Sequence, residues 1–307
     1  MNPIVFNGVH RAYQDQHVLR GLTFEVAPGE VFAMLGRNGA GKTTAIRILL
    51  GMLRPMAGST AILGADSRAL TGALRERIGF VSEGHRLEDA RTVQRTLDYE
   101  AATRQRFDRA HAEDRLRRLD LPFGRKVREL SRGQQAQLAL VLVLAGSPEL
   151  LVFDDPGLGL DVVMRRELLD AIIELLSQEG VSVLFTSHVL PDVERLADRV
   201  GILHEGSLVV DATREELRSR VRQLYVRGAG GAPPSLTGLL GWRPVPDGFE
   251  VTLLDTTDEQ LEAEGAVIGG SARAASLEEL FVALTASHLG GPVSAPAAAV
   301  STEEVKA

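Results

Sequence analysis

Short apolar runs alternate with amphipathic stretches through the first two thirds of the chain. Residues 31–35 are all apolar and end at Gly36, which predicts a buried strand. Apolar residues at helical spacing follow in 42–53, and a proline at 55 would close that helix. Three more buried strands are predicted at 150–153, 181–185 and 200–203, and an amphipathic helix at 164–178 separates the first two of these.

This alternation of strand and helix predicts an α/β fold with a mainly parallel sheet. Two earlier segments, 4–6 and 22–26, predict an antiparallel β element at the N-terminal end. Residues 87–118 are charge-rich and helical in pattern without a strand candidate, which indicates a helical insertion.

The composition changes after about residue 212, where glycine and proline interrupt the pattern. Strands are predicted at 224–226 and 249–253 and a helix at 276–286, which together indicate a small C-terminal α+β domain. Ala, Pro, Gly, Val and Ser dominate from Gly290 onward and predict a disordered tail. We therefore expect a first domain at 1–215 with its helical insertion at about 84–130, an accessory domain at 216–289, and a tail at 290–307.

Composition narrows the possible functions. The 307 residues are 44% hydrophobic and 24% charged, as expected for a globular protein with a sizeable core. Acidic residues outnumber basic ones by 41 to 34, so we expect no nucleic-acid partner. The chain has no cysteine, which excludes disulfides and thiolate chemistry. The longest apolar run, 138–146, is too short for a membrane-spanning helix, and the N-terminal residues lack the pattern of a signal peptide.

A glycine-rich loop between the first buried strand and the next helix carries the clearest chemistry. Residues 36–43, with the sequence GRNGAGKT, match the nucleoside-triphosphate P-loop pattern at every defined position. Glycines allow backbone N–H groups to wrap phosphates, and the following helix directs its positive end toward them. Lys42 can then reach the β- and γ-phosphates, while the Thr43 hydroxyl is suited to Mg²⁺. The loop predicts nucleotide binding.

Three further features follow in order. Ser131 and Gln134 have the spacing of a capping box at the start of a long helix, which forms a second anion-binding helix end. An apolar strand ends in the paired carboxylates Asp154 and Asp155. His188 comes just after the next predicted strand.

With these residues in this order, the chain resembles the ATP-binding cassette (ABC) family over about residues 2–215. Residues 36–43 resemble its Walker A motif, 131–134 its LSGGQ signature and 150–154 its Walker B motif. Residues 160–161 fall at the D-loop, His188 matches the switch histidine, and Tyr13 lies where an aromatic residue stacks on adenine. The resemblance implies a P-loop NTPase that hydrolyses ATP with Mg²⁺.

The resemblance also implies a head-to-tail dimer, in which ATP lies between the P-loop of one subunit and the signature helix of the other. Closure on ATP and reopening after hydrolysis would drive membrane subunits. It assigns catalytic roles to Asp155, His188 and Lys42, and Mg²⁺ contacts to Thr43, Glu83 and Asp154. It assigns nucleotide contacts to Tyr13, Gly36, Arg37, Asn38, Gly39, Ala40, Gly41, Lys42, Thr43, Thr44, Glu83, Ser131, Gly133, Gln134 and His188.

Several positions depart from the family pattern. Asp155 stands where Glu usually polarises the attacking water, so its carboxylate is one methylene shorter. An error of about 1 Å in position can cost roughly 10²-fold in rate, so Asp155 is either a slow base or part of a degenerate site. Glu83 replaces the usual Q-loop Gln but can still ligate metal. Arg132 replaces a signature Gly and is expected to point out of the site; Gly157 and Leu158 replace the common Thr-Ser near the D-loop.

Three kinds of cassette protein remain open at this point. Residues 276–285 resemble the C-terminal helix of ABC-2 type exporter ATPases, which favours an exporter subunit working with integral membrane permease subunits on separate chains. Such a subunit would lie at the cytoplasmic face of the cell membrane. Asp155 leaves open either a homodimer that hydrolyses slowly or a heterodimer in which this chain binds ATP without hydrolysing it. A soluble cassette ATPase acting on ribosomes or DNA is disfavoured by the single P-loop and its short spacing to Ser131.

The remaining histidines, His85 among them, have no metal-ligand spacing and are expected at the surface or in packing.

Overall fold

The computed structural model describes residues 1–85, 87–176, 180–228, 235–264, 267–268 and 272–285. The strands are β1 (Ile4–Tyr13), β2 (Gln16–Val26), β3 (Val31–Leu35), β4 (Ala57–Ile62), β5 (Ala65–Asp66), β6 (Ile78–Val81), β7 (Leu150–Asp154), β8 (Ser182–Ser187), β9 (Arg199–His204), β10 (Ser207–Thr213), β11 (Val221–Arg227), β12 (Leu239–Val245), β13 (Gly248–Leu254), β14 (Val267–Ile268) and β15 (Arg273–Ala274). The helices are α1 (Lys42–Leu49), α2 (Gly72–Glu76), α3 (Val93–Thr103), α4 (Arg109–Arg118), α5 (Arg132–Leu144), α6 (Val162–Leu176), α7 (Leu190–Leu196), α8 (Arg214–Arg220), α9 (Asp258–Ala263) and α10 (Leu277–Thr285).

A six-stranded sheet in the order β10-β9-β3-β8-β7-β6 forms the centre of the molecule. Its strands from β9 to β6 are parallel, and only β10 runs antiparallel to its neighbour. The predicted parallel sheet is therefore confirmed. Because parallel strands end at the same edge, the segments after β3, β6, β7 and β8 meet there.

Both faces of this sheet are covered, which explains why its strands are apolar at nearly every position. Phe153 and Phe185 face a cluster formed with α5, α6 and α7. Val152 and Leu184 face the opposite cluster, to which α1 and the N-terminal strands contribute.

The N-terminal β element is a four-stranded antiparallel sheet in the order β2-β1-β4-β5. The rings of Phe6 and Phe24 stack at 4.6 Å between centroids, and Phe24 stacks on Phe32 of β3 at 4.9 Å. These rings join the antiparallel sheet to the central one. The strands extend well beyond the predicted 4–6 and 22–26.

The charge-rich segment after β6 is helical, as predicted. Helices α3 and α4 begin at side-chain caps, Thr92 and Asp108, and pack on α5. Their buried contacts are made by a few apolar residues such as Leu97 and Leu116, while the charged residues face outward.

The first predicted helix is shorter than expected, because α1 ends at Leu49 rather than at residue 53. Gly51 has a φ of +68°, and a Cβ there would lie 2.1 Å from the carbonyl oxygen of Ser67. The next two amides, of Met52 and Leu53, donate to the Arg47 carbonyl instead of continuing the helix. The helix predicted at 164–178 is α6, whose described part begins earlier, at Val162.

The C-terminal segment forms an antiparallel sheet in the order β12-β13-β11-β14, with β15 paired to β11. The two predicted strands correspond to β11 and β13, and the predicted helix to α10. Leu240 and Leu280 share a buried cluster with Val210 and Leu217, so this sheet packs on the central domain. The domain division at residue 215 stays a prediction, and the predicted tail at 290–307 lies outside the described residues.

No helix in the described part of the chain is long and apolar enough to cross a membrane.

Candidate nucleotide site

The glycine-rich loop leaves β3 at Leu35 and enters α1 at Lys42, as the sequence predicts. Gly39 and Gly41 have φ values of +84° and +113°, which L-residues with side chains rarely adopt. A Cβ at Gly36 would lie 2.7 Å from the Leu203 carbonyl oxygen. The glycines are therefore required by both backbone conformation and space, and they leave the first amides of α1 open to an anion.

Lys42 closes the loop on itself. Its Nζ donates to the carbonyl oxygens of Gly36 at 2.6 Å and Arg37 at 3.2 Å. Burial lowers the pKa of Lys42 below its usual range, and the negative charges of Asp155, Asp154 and Glu83 partly offset that shift. The ammonium group is thus held in the loop and is available to a phosphate that offers a stronger, charged acceptor.

Asp154 lies at the end of β7 with two hydroxyl partners. Its Oδ1 accepts from Thr43 Oγ1 at 3.1 Å and from Thr186 Oγ1 at 3.0 Å. A hydroxyl beside a carboxylate is a hard-oxygen donor set, which suits Mg²⁺. The described residues contain no cluster of three His, Cys, Asp or Glu side chains able to hold a metal. The set fits Mg²⁺, which commonly binds through one or two protein oxygens together with substrate phosphates.

Asp155 adopts the left-handed region with a φ of +48°. Its backbone N–H donates to Thr186 Oγ1 at 3.0 Å, and its Oδ2 lies 2.5 Å from His188 Nδ1. Thr186 thereby joins the two carboxylate residues, a role that its position in an apolar strand does not reveal. The signal in the sequence is weak: a hydroxyl where an otherwise apolar strand ends.

The loop after Asp155 is held in place by a half-buried ion pair. Arg165 Nη2 donates to the Gly157 carbonyl oxygen at 3.3 Å, and Arg165 Nε lies 3.8 Å from the carboxylate of Asp192. Burial raises the pKa of Asp192, while Arg165 opposes that shift. The pair holds the backbone of this loop against α7.

A cavity of about 460 Å³ is lined by most of the residues predicted to bind nucleotide or metal or to act in catalysis. Its lining residues are Gln16, Val18, Asn38, Gly39, Gly41, Lys42, Thr43, Thr44, Glu83, Asp154, Asp155, Leu158 and His188. Gln16 and Val18, at the start of β2, were not predicted. The predicted adenine partner Tyr13 is not among the lining residues; it is 42% exposed, with the Arg11 guanidinium 4.9 Å from its ring centre.

The signature residues lie apart from this cavity, at the start of α5. Ser131 Oγ accepts from the Gln134 amide at 3.2 Å, and the Gln134 side chain accepts from the Ser131 amide at 3.0 Å, so the predicted capping box is present. Gly133 is buried, and a Cβ there would lie 2.0 Å from Met164 Cε. Arg132 lies beside Gly159, the residue just before the D-loop, with Nη1 2.8 Å from where a Cβ at Gly159 would be.

The C-terminal helix reaches the phosphate loop. Arg37 Nη1 donates to the carbonyl oxygen of Thr285, the last residue of α10, at 3.1 Å. The Arg37 side chain therefore lies on the side of the loop that faces α10. The backbone carbonyl oxygen of Arg37 accepts from Lys42.

Comparison with known proteins agrees with this geometry. Residues 19–157 match the ABC transporter family model. Daunorubicin resistance ATP-binding protein DrrA3 of Streptomyces coeruleorubidus is 33% identical over 306 residues, covering 92% of this chain and 95% of that protein. The chain belongs to the ABC transporter ATP-binding family. Nod factor export ATP-binding protein I of Rhizobium etli is 33% identical over 262 residues, covering 82% of this chain and 81% of that protein.

Solved structures of ABC proteins share the fold. A structure of the ATP-binding subunit of an ABC transporter has a TM-score of 0.63 and 28% identity, covering 70% of this chain and 92% of that one. The structure of cbiO1 from Clostridium perfringens has a TM-score of 0.61 and 25% identity, covering 71% of this chain and 91% of that one. Membership of this ABC family brings ATP binding, generally with Mg²⁺, and ATP hydrolysis coupled to transport through membrane permease components.

Proposed function

We propose that this chain is the ATP-binding and ATP-hydrolysing subunit of an ABC exporter whose permease subunits are separate chains. The relatives named above are an export protein and a drug-resistance protein, and the similarity to DrrA3 spans 92% of this chain. A contiguous span of that length necessarily includes the P-loop and the C-terminal sheet. The proposal places the chain at the cytoplasmic face of the membrane through those permease subunits.

Catalysis rests on the pair formed by Asp155 and His188. The carboxylate of Asp155 accepts a proton from the attacking water, and His188, bound to its Oδ2, fixes the orientation of that carboxylate. Lys42 turns from the loop carbonyls to the phosphates and stabilises the charge that develops on them. The 2.5 Å contact to His188 is the observation that carries this assignment, because it holds the shorter carboxylate in one place.

Thr43 and Asp154 would hold Mg²⁺, and Glu83 faces the same cavity. When bound, Mg²⁺ neutralises charge on the phosphate oxygens. Ser131, Gly133 and Gln134 lie outside the cavity of their own chain, so they serve a nucleotide in the cavity of a second subunit. Tyr13 is proposed to turn toward the adenine, since it is exposed beside β2.

The first test is steady-state MgATP hydrolysis by the purified chain beside Lys42→Ala, Asp155→Asn and Asp155→Glu. We expect slow hydrolysis that falls by about 10²-fold in Lys42→Ala and in Asp155→Asn, since each variant removes a group that acts on the reacting atoms. His111→Gln, on the exposed face of α4, is the control and should hydrolyse ATP at the rate of the unaltered chain.

A second result would favour the heterodimer. If the unaltered chain binds MgATP without hydrolysing it, and Asp155→Glu restores turnover, the chain is the binding-only partner of a competent cassette. Stoichiometric recovery of a second ABC cassette from cells would then be expected. Recovery of an integral membrane protein from a membrane extract tests the exporter assignment, and its absence would contradict that assignment.

A further inference from the structure

His85 occupies an unusual position at the turn that follows β6. Its amide donates to the Ser82 carbonyl oxygen at 3.0 Å, closing a turn over Glu83 and Gly84. His85 itself has a φ of +51°, in the left-handed region that residues with a side chain seldom adopt. The residue is nonetheless 5% exposed, so the surrounding structure holds it there.

The ring of His85 contacts the catalytic loop directly. Its Nε2 lies 2.9 Å from the carbonyl oxygen of Pro156, the residue after Asp155. A carbonyl oxygen only accepts hydrogen bonds, so Nε2 carries the proton and donates it. This bond joins two segments that are 71 positions apart in the chain.

We propose that His85 is a positioning residue for ATP hydrolysis, which holds the Asp155 carboxylate in its productive place by donating from Nε2 to the Pro156 carbonyl. This inference rests on the proposed function, in which Asp155 acts on the attacking water. His85 does not line the nucleotide cavity, so it acts through the backbone of the catalytic loop and not on the nucleotide.

The need for such a residue follows from the backbone of Asp155. Its left-handed conformation persists only where neighbouring contacts determine it. Thr186 binds its amide, His188 binds its carboxylate, and His85 binds the carbonyl of the next residue. These contacts fix the loop before, at and after Asp155. The Asp155 carbonyl also accepts from the Leu158 amide at 3.1 Å, but among these contacts only His85 binds the Pro156 carbonyl. Loss of that bond lets the Pro156 carbonyl shift, and the carboxylate of the preceding residue shifts with the shared backbone.

The shorter side chain makes this contact more important. A glutamate could compensate for a small backbone shift by adjusting an extra torsion angle, whereas aspartate has one fewer. A displacement of about 1 Å can cost roughly 10²-fold in rate. The effect of losing the His85 bond should therefore be larger with Asp155 than with a glutamate at the same position.

His85 also lines a separate groove of about 460 Å³ outside the nucleotide cavity. The other lining residues are Gly84, Leu87, Asp89, Arg128 and Gln135. The imidazole thus lies between the groove and the catalytic loop, and any displacement of the ring from the groove side changes its bond to Pro156.

The test compares two substitutions at position 85. His85→Leu keeps the bulk and removes the donor, whereas His85→Gln keeps an N–H donor at a similar distance from the backbone. We expect His85→Leu to lower kcat by about 10- to 100-fold with the KM for ATP within about twofold, because binding groups are untouched. His85→Gln should recover most of that loss. The matched controls are His111→Leu and His111→Gln, which make the same changes on the exposed side of α4.

A packing role would give a different result. If His85→Leu and His85→Gln lose kcat equally, or if His85→Leu keeps the full kcat, the positioning role is wrong. In the Asp155→Glu background, His85→Leu should cost at least several-fold less than in the unaltered chain. Thermal unfolding of each variant confirms that the comparison is made between folded proteins.

A readout without turnover separates this inference from the proposed function. The ¹⁵N signal of His188 Nδ1 reports its bond to Asp155, and we expect His85→Leu to shift that signal while His85→Gln leaves it near its original position. If the unaltered chain hydrolyses ATP and His85→Leu matches it, the inference fails and the proposed function stands. If the unaltered chain does not hydrolyse ATP, the hydrolytic role in the proposed function fails. An unmoved His188 signal in His85→Leu overturns the role of His85 whether or not the chain hydrolyses ATP.

Discussion

At the scale of single residues, the site depends on a hydroxyl that the pattern of the chain does not single out. Thr186 is fully buried near the end of β8, where its partner across the sheet is Asp154. It donates to the carboxylate of Asp154 and accepts from the amide of Asp155, each at 3.0 Å. One side chain therefore orients the proposed magnesium ligand and the proposed base.

Thr186→Val removes this hydroxyl at nearly constant volume. We expect the free energy of unfolding to fall by about 1–3 kcal/mol, because the half-buried Asp155 amide loses its acceptor. ATP hydrolysis should fall by about tenfold or more, since both carboxylates lose a fixed contact. Urea unfolding and steady-state hydrolysis measure the two effects. Thr252→Val, in a buried strand of the C-terminal sheet, is the control, and an equal loss of hydrolysis there would contradict the assignment.

At the scale of elements, α10 connects the C-terminal sheet with the phosphate loop. One side of the helix packs on β12, where Gly241 allows close approach to Ala283, and its last carbonyl accepts from Arg37. A Cβ at Gly241 would lie 2.8 Å from both Ala283 Cα and Ala283 Cβ. The position of α10, and with it the bond to the phosphate loop, depends on this glycine.

Gly241→Ala should therefore move α10 away from β12. Overpacking of this kind typically costs about 1–3 kcal/mol, so we expect a lower melting temperature. Loss of the Arg37 bond should also weaken MgATP binding a few-fold. Arg37→Ala should weaken MgATP binding to the same extent without the loss of melting temperature that overpacking causes. Gly124→Ala is the control, since nothing lies within 4 Å of a Cβ there. If Gly241→Ala leaves both the melting temperature and ATP binding unchanged, the position of α10 does not depend on this glycine and the prediction is wrong.

At the scale of the whole molecule, Glu149 forms ion pairs that link the helical segment containing α3 and α4 to the central sheet. These pairs lie at the edge of the sheet opposite the nucleotide cavity. It precedes β7 and pairs with Arg77, after α2, at 2.6 Å and with Arg106, before α4, at 3.2 Å. Hydrogen bonds and charge from Arg77, then from Arg106, lower the pKa of Glu149 to about 2. The folded state therefore favours the ionised carboxylate more than the unfolded chain does.

The sign of the pH dependence follows from this lowered pKa. Glu149 contributes its full stability above the unfolded value of 4.5, and that contribution is lost as the pH falls toward 2. Glu149→Gln should cost about 0.5–1 kcal/mol at pH 7, a modest figure because the pair is solvent-screened, and almost nothing near pH 2. Denaturant unfolding between pH 2 and pH 7 measures this loss of unfolding free energy, and Glu88→Gln, at an exposed residue, is the control. A cost that stays constant with pH would contradict the ion-pair account.

The sequence by itself determined the features that rest on neighbouring residues. The phosphate loop is a contiguous motif, and four of the five parallel strands were predicted because both faces of the sheet are covered and each of these strands is an apolar run. The fifth, β6, is only four residues long and contains Gly79, and it was not predicted. Parallel order then brings Lys42, Asp154 and His188 to one edge, as the motifs predict. The weaker alternation in the C-terminal segment explains why β12, broken by Gly241 and Pro244, was not predicted.

Only the tertiary structure decided the contacts between distant segments. The bond from His85 to Pro156, the bonds of Thr186, and the contact of α10 with Arg37 join residues whose separation in the chain carries no periodic signal. The same holds for Tyr13, which is exposed and not among the residues that line the cavity. Strand register and helix packing set these positions, because they depend on how whole elements fit together and not on the pattern within any one of them.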